Sequence, residues 1–318
     1  MSRTFTRPCH GRLVRRNELA PPLWVEECVR AGASESLRVS LESARAEART
    51  SGGFSLVSVR LSGVEAMDIL SFQQSVADAY RVVLDRIRGE HPLRFWAFIP
   101  RIHADYGNGL DRYMAFNAGR FAAFSAWLGG RDAFSLSIPT GSAVGSRSSD
   151  FELHGLASRW PASPVENPRQ VPAYHYSRRF GPLPPCFARA TLLRREPELE
   201  NLLLVGGTAS IAGEDSCHLG ELVPQTSETF QNLASVVRSA CQESGTPLEE
   251  SDGDVSRWLS LFRELRVYSR EAEHQQRILE LVEAAFPGAG RIEMLPAELC
   301  RPELLVEIEG MALLPATS

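Results

Sequence analysis

Long apolar runs are missing from this chain: no stretch of about 18 apolar residues occurs in it, so the sequence predicts no membrane-spanning helix. Cysteine is scarce and scattered. The six cysteines (Cys9, Cys28, Cys186, Cys217, Cys241 and Cys300) form no CxxC pair, which argues against a disulfide framework and against a structural zinc site. Reduced thiols in a cytoplasmic protein is the economical reading. Positive charge is not concentrated either. The formal net charge is -5, and the densest basic groups (Arg12, Arg15 and Arg16; Arg178 and Arg179) are too small to track a phosphate backbone, so no nucleic-acid partner is expected. The opening MSRTFTRPCHGRLVRRNELAPP is basic but has no apolar core segment, unlike a signal peptide. GxGxxG after a strand, GxxxxGK[ST], GxSxG and HExxH are all absent, and Gly206-Gly207 is only a pair. The seven histidines are isolated from one another and from metal-ligand spacings. Neither a metal nor an organic cofactor is expected.

What is present is a core-forming chain. Apolar residues make up 43% of it, and 318 residues are enough for two domains of ordinary size. Two segments follow one script. The first runs from the strand FSLVSVRLSG (54–63) through the helical stretch FQQSVADAYRVVLDRI (72–87) to the strand RFWAFIP (94–100). The second runs from ENLLLVGGTASI (200–211) through QTSETFQNLASVVRSA (225–240) to ELRVYSR (264–270). In both helices apolar residues recur at three and four, as Val76, Ala79, Tyr80, Val83 and Ile87 do in one and Phe230, Leu233, Val236 and Val237 in the other. Both open on glutamine with a serine or threonine, which suits a helix start. A further helix follows each script, over 108–128 and 271–286. The pattern predicts an internal repeat in an α/β (α+β) fold: two units, each a mixed sheet with helices packed on one face.

Two stretches interrupt the repeat. Residues 241–262 read as an insertion whose polar first half is an exposed loop. Residues 138–185 are rich in Pro, Gly and Ser, with too few apolar periods for a core, yet they carry Trp160, Tyr174, His175, Tyr176 and Phe180. A pure spacer rarely holds so many aromatics. Its last third is therefore expected to be an ordered loop lining a cleft between the halves.

Chemistry-bearing candidates are few. Tyr113 and Arg120, seven apart, share a helix face, Tyr176 lies in the aromatic loop, and Arg189 alternates with Phe187 and Thr191 on CFARATLL. An arginine fork matches a carboxylate. Taken singly, each has an ordinary explanation as core, surface ion pair or solvated strand position. The terminal CRPELLVEIEG (300–310) places Leu305, Glu307 and Glu309 on one strand face and Leu304, Val306 and Ile308 on the other. Its acids are either solvated on an edge strand or held to move a proton.

The run LLLVGGTASIAGEDSCHLGELVPQTSETFQNL, with the terminal EIEG, resembles the YjgF/RidA-like fold. More specifically, RFWAFIPRIHADYGNGLDRYMAFNAGR, AYHYSRRFGPLPPCFARA, VGGTASIAGE and CRPELLVEIEG together resemble the chorismatase family, in order and across both halves. The resemblance implies tandem YjgF-like domains: a degenerate one over 1–145 and a catalytic one over 146–318, with the aromatic loop at 146–185. It implies cofactor-free release of pyruvate from chorismate, with Glu307 as the proton donor. Tyr113, Arg120, Tyr176 and Arg189 carry over as substrate-binding positions, with Glu309 left structural or solvated. Cys300 and Gly213 resemble the 3-hydroxybenzoate branch, Cys300 as a proton-handling group near the ring, provided Pro302 breaks the strand between it and Glu307. The alternatives are the hydrolytic branch, which yields a dihydroxycyclohexadiene carboxylate, and a YjgF/RidA-like imine deaminase or metabolite-binding protein. A monomer is expected, because a fused tandem lessens the need for assembly.

Overall fold

The computed structural model describes residues 12–39, 43–107, 109–194, 200–245 and 254–315. A strand β1 (Arg12–Arg15) and a helix α1 (Leu23–Val29) precede the first unit. That unit runs β2 (Ser34–Leu37), β3 (Ala44–Ser51), β4 (Phe54–Leu61), α2 (Ile69–Arg86), β5 (His91–Pro100), α3 (Arg112–Leu128), β6 (Thr140–Ser146) and β7 (Phe151–Ser158). The second runs β8 (Ala162–Val165), β9 (Ala190–Leu193), β10 (Asn201–Thr208), α4 (Leu222–Glu243), β11 (Phe262–Ser269), α5 (Gln275–Ala285), β12 (Arg291–Pro296) and β13 (Val306–Leu314).

The strand order is β2-β3-β4-β7-β5-β6 in the first sheet and β1-β12-β11-β13-β10-β9-β8 in the second. Within these, β3-β4-β7-β5-β6 and β9-β10-β13-β11-β12 are the same topology. A hairpin leads through a helix to a third strand and through a second helix to a fourth, parallel to the third. The last strand then returns antiparallel between the hairpin and the third strand. The repeat expected from two helix–strand scripts is thus a repeat of connectivity, with the helical crossover that a parallel pair requires.

Alternation along the strands sorts the core into layers. On the first sheet Val57, Val59 and Leu61 pack under α2 and α3, against Phe72, Val76, Tyr80 and Phe116. On the second, Val205, Val306 and Ile308 pack under α4 and α5, against Leu233, Val237, Ile278 and Val282. The opposite faces meet each other: Leu56, Trp96, Phe98 and Val144 from one sheet against Leu204, Tyr268, Met311 and Leu313 from the other. The result is helix, sheet, sheet, helix. Among the described residues no helix is long and apolar enough to cross a membrane.

Helix starts differ from the reading of the sequence. The Asp68 side chain caps α2 by accepting from Ser71 N at 2.9 Å, and Asp111 caps α3 from Met114 N at 2.8 Å. A short acid accepts from the unpaired first-turn amides, which glutamine does less well. Gln225 lies inside α4 rather than at its start, and its side chain has another task.

The larger difference concerns residues 138–185. Strands β6, β7 and β8 all fall there, and β7 completes the first sheet, so the sheets divide after Ser158 rather than at 145. The small residues that suggest a loop are packing requirements. A Cβ on Gly145 would stand 2.7 Å from Glu298 Cβ, and one on Gly155 would overlap Val83 and Phe95. Residues 173–175 and 178–180 are short helical turns that bury Tyr174 and bring Tyr176 and Phe180 together. Residues 246–253 of the insertion lie outside the described residues.

Candidate active site

The segment CRPELLVEIEG does not start as strand. Leu304 N donates to Arg301 O at 3.2 Å, closing a turn over Pro302, and β13 begins only at Val306. Gln225 clamps this turn from α4: its Nε2 donates to Glu303 O at 3.0 Å, and its Oε1 accepts from Leu305 N at 2.9 Å. With the strand broken there, Cys300 and Glu307 reach the same pocket wall. Val306 and Ile308 point to the helix side, while Glu307 and Glu309 point between the sheets.

Opposite them β10 carries a bulge. Val205 pairs with Gly310 and Thr208 with Ile308, so Gly206 and Gly207 stand against a shorter stretch of β13. A Cβ on Gly207 would overlap the Glu307 carboxyl. This glycine leaves room for the acid. Gly207→Ala should therefore cost turnover by about 10²-fold, since displacing a reacting group by about 1 Å does so. Folding should be little affected, because the clash is with the end of a flexible side chain. A melting curve beside an activity assay checks both; full activity would mean that the carboxyl works from elsewhere.

The two glutamates share a face and differ in everything else. Glu309 is 2% exposed and accepts from Arg94 Nη2 at 2.7 Å, Trp96 Nε1 at 2.8 Å and Ser142 Oγ at 2.6 Å. It is buried and ion-paired rather than solvated. Glu307 is 4% exposed and receives no hydrogen bond or ion pair from the described residues. Burial, and secondarily the negative charge of Glu309, push its carboxyl from 4.5 up to about 8, against the opposing pull of Arg94. A carboxyl in this state holds its proton at neutral pH and can donate it.

The pocket in front of Glu307 has a volume of about 220 Å³. The first unit supplies Asp111, Tyr113 and Met114, and the second the remaining wall, including Tyr176, Phe187, Arg189, Cys300 and Arg301. Arg189 is 6% exposed; its Nη2 donates to Val171 O at 2.9 Å and to Tyr176 Oη at 2.7 Å, while its Nε has no partner among the described residues. Arg301 Nη1 donates to Glu214 O at 2.9 Å and Ser216 Oγ at 3.0 Å, with its guanidinium 4.2 Å from the Phe180 ring centre. Neither has a carboxylate within ion-pair distance among the described residues. Burial, then the neighbouring Glu307, push the Cys300 thiol up to about 12, against the pull of Arg301 and Tyr113. Cys300 thus stays a neutral thiol.

Tyr113, Tyr176, Arg189, Cys300 and Glu307 are brought together. Two other candidates stand back. Arg120 is buried behind the wall, its Nη2 on Asn117 Oδ1 at 2.7 Å and its guanidinium 5.2 Å from the centre of Phe187, whose ring also lies 5.3 Å from Arg189. Gly213 does not line the pocket. It bonds through its backbone to Arg169 and Val171, both at 2.9 Å, with φ 60, a conformation that favours glycine.

A family profile described as "Chorismatase FkbO/Hyg5-like, N-terminal" matches residues 33–157. A 3-hydroxybenzoate synthase of Streptomyces hygroscopicus is 36% identical over 223 residues, 69% of this chain and 63% of that protein. A chorismatase of the same organism is 30% identical over 220 residues, 69% of this chain and 60% of that protein. A chorismatase crystal structure superposes with a TM-score of 0.73 at 25% identity, over 87% of this chain and 79% of the other. The chain belongs to the chorismatase family. It spans less than two thirds of the length of these two curated relatives.

The family profile ends at 157, one residue short of the end of β7, in line with the sheet division. Several residues around the site escaped the sequence reading. Arg94, Trp96 and Ser142 come from apolar or Gly/Ser-rich strands and reach Glu309 only because the sheets stack. One signal was available: an arginine at the start of the buried strand RFWAFIP needs a buried partner. Arg301 is only a weaker candidate in the sequence, because its direction off the strand is set by the turn over Pro302.

Proposed function

We propose that this chain converts chorismate to 3-hydroxybenzoate and pyruvate, with Glu307 as the proton donor. The observation that carries the reading is a buried carboxyl that keeps its proton, facing a pocket with buried guanidiniums that have no carboxylate within ion-pair distance among the described residues. Chorismate has two carboxylates, a ring hydroxyl and an enolpyruvyl ether. Arg189 takes one carboxylate and Arg301 the other, with Arg120 adding positive charge behind Phe187 and Tyr113 and Tyr176 bounding the ring. Glu307 protonates the enol-ether methylene, which forms an oxocarbenium ion and makes pyruvate a leaving group. The ring hydroxyl displaces the pyruvyl oxygen and loses its proton to the Glu307 carboxylate. The resulting arene oxide opens and aromatises. Substrate and products balance without water, whereas the hydrolytic route consumes one water.

The greater identity to the synthase than to the hygroscopicus chorismatase, 36% against 30%, favours this branch. Cys300 serves it as a neutral thiol that shapes the ring end of the pocket and offers a hydrogen bond, rather than as a thiolate. We assign catalysis to the second unit, with the first as its cap, in a single chain that works in the cytoplasm. Incubation with chorismate tests the reading, with pyruvate followed and the ring product identified by chromatography. 3-Hydroxybenzoate should dominate, and Cys300→Ala should shift the mixture away from it while pyruvate release continues. A dominant diene diol from the unmodified protein would assign it to the hydrolytic branch instead. No pyruvate at all would remove the chorismatase reading.

A further inference from the structure

Glu309 stands on the same strand face as Glu307, two residues on, so the two carboxyls lie about 7 Å apart along β13. All three of its donors come from the first unit: Arg94 and Trp96 on β5 and Ser142 on β6. Ser142 is held in turn, its Oγ accepting from Gly207 N at 2.8 Å and from Arg94 Nη2 at 2.7 Å. Hydrogen bonds donated to a carboxylate favour its ionised form. The Arg94–Glu309 pair is 2% exposed on both sides, so water screens its field little.

We propose that Glu309 is a positioning residue for the acid: the first unit locks it as a carboxylate beside Glu307, and its fixed negative charge adds to burial in holding the proton on Glu307. This rests on reading Glu307 as the proton donor. The charged and titratable groups facing Glu307 are Glu309 on its own strand, Arg94 from β5, Tyr113 from α3, Tyr268 from β11, Cys300 and Arg301 from the turn before β13, and around the pocket Arg189 just before β9 with the less buried Asp111, Arg179 and Glu303. Burial pushes Tyr113, Tyr268 and Cys300 upward, so all three are neutral near pH 7. Among the buried charges that leaves Glu309 set against Arg94, Arg189 and Arg301, and Arg94 is already engaged with Glu309. A carboxylate at about 7 Å in surroundings of effective dielectric about 20 moves a neighbouring titration by about one to two pH units. The first unit is thus more than a cap: it supplies the clamp that sets when the acid is loaded.

The test titrates the protonated-carboxyl infrared band of Glu307, identified by its loss in Glu307→Gln, in protein without chorismate. Glu309→Gln should lower its midpoint by about one to two pH units and move the alkaline limb of the kcat profile by the same amount. Arg94→Gln should move both upward. If either single variant fails to fold because a buried charge is stranded, Arg94→Gln with Glu309→Gln removes both charges, and its midpoint should still lie below that of the unmodified protein. An unmoved midpoint in the double variant, or a uniform loss of kcat with an unmoved limb, would overturn the proposal and leave Glu309 purely structural. The band and the activity separate the two readings. A shifted midpoint in a protein that never releases pyruvate upholds the clamp and overturns the activity, and the converse result overturns the clamp alone.

Discussion

Glu307→Gln is expected to lower chorismate turnover by about 10²–10⁴-fold, the usual worth of a general acid. The amide keeps the shape and size of the side chain and cannot donate an acidic proton. Binding should be largely kept, because the guanidiniums that would hold the carboxylates are untouched. The loss should therefore fall on kcat and not on KM. The unmodified protein carries the matching pH dependence. With its carboxyl raised to about 8, Glu307 is protonated below that pH and charged above it, so activity should decline as pH rises through about 8. An ordinary carboxylic acid would give its decline near 4.5. Rate profiles of the protein and the variant, with pyruvate as the readout, decide the matter. A variant with more than a tenth of the normal kcat would remove Glu307 from the proton-donor role.

Arg189→Ala should weaken chorismate binding by about 2–5 kcal/mol, because a desolvated carboxylate loses its partner. Arg189 is suited to this role by what it lacks. Its Nη2 is spent on Val171 and Tyr176, which fixes the plane of the guanidinium, and its Nε is left without a partner among the described residues. Lysine should rescue poorly, since an ammonium cannot reproduce a planar fork held from one edge. Arg179 is the internal comparison. It also lines the pocket, but its charge is already shared with Glu214 and Asp215 and its side chain is 51% exposed. Arg179→Ala should accordingly change affinity far less. Calorimetric titration with chorismate on the Glu307→Gln background measures binding without turnover. Equal affinities for Arg189→Ala and Arg179→Ala would show that the carboxylates are held elsewhere.

Much of the architecture is written in local pattern. Apolar residues at three and four in α2 and α4, and alternation in β4 and β10, state which face each element buries, and burial is what makes the elements form. The repeated order of those patterns carried the repeated topology. Pattern failed where packing, not hydrophobicity, chose the residue. Gly145 and Gly155 sit in strands because a Cβ has no space there, and a composition rich in Gly and Ser reads as loop until the opposing surface is known. Gln225 failed for a related reason: it resembles a helix opener, while its side chain holds a turn that is distant in sequence.

The chain by itself determined that CRPELLVEIEG would place two glutamates on one face of a strand with apolar neighbours on the other, because side chains alternate whatever the strand packs against. Which glutamate keeps its proton was decided only by the tertiary structure. Arg94, Trp96 and Ser142 arrive from another sheet and meet Glu309 but not Glu307. Protonation depends on the field and the donors at each oxygen, and both are set by contacts between units that no local period encodes.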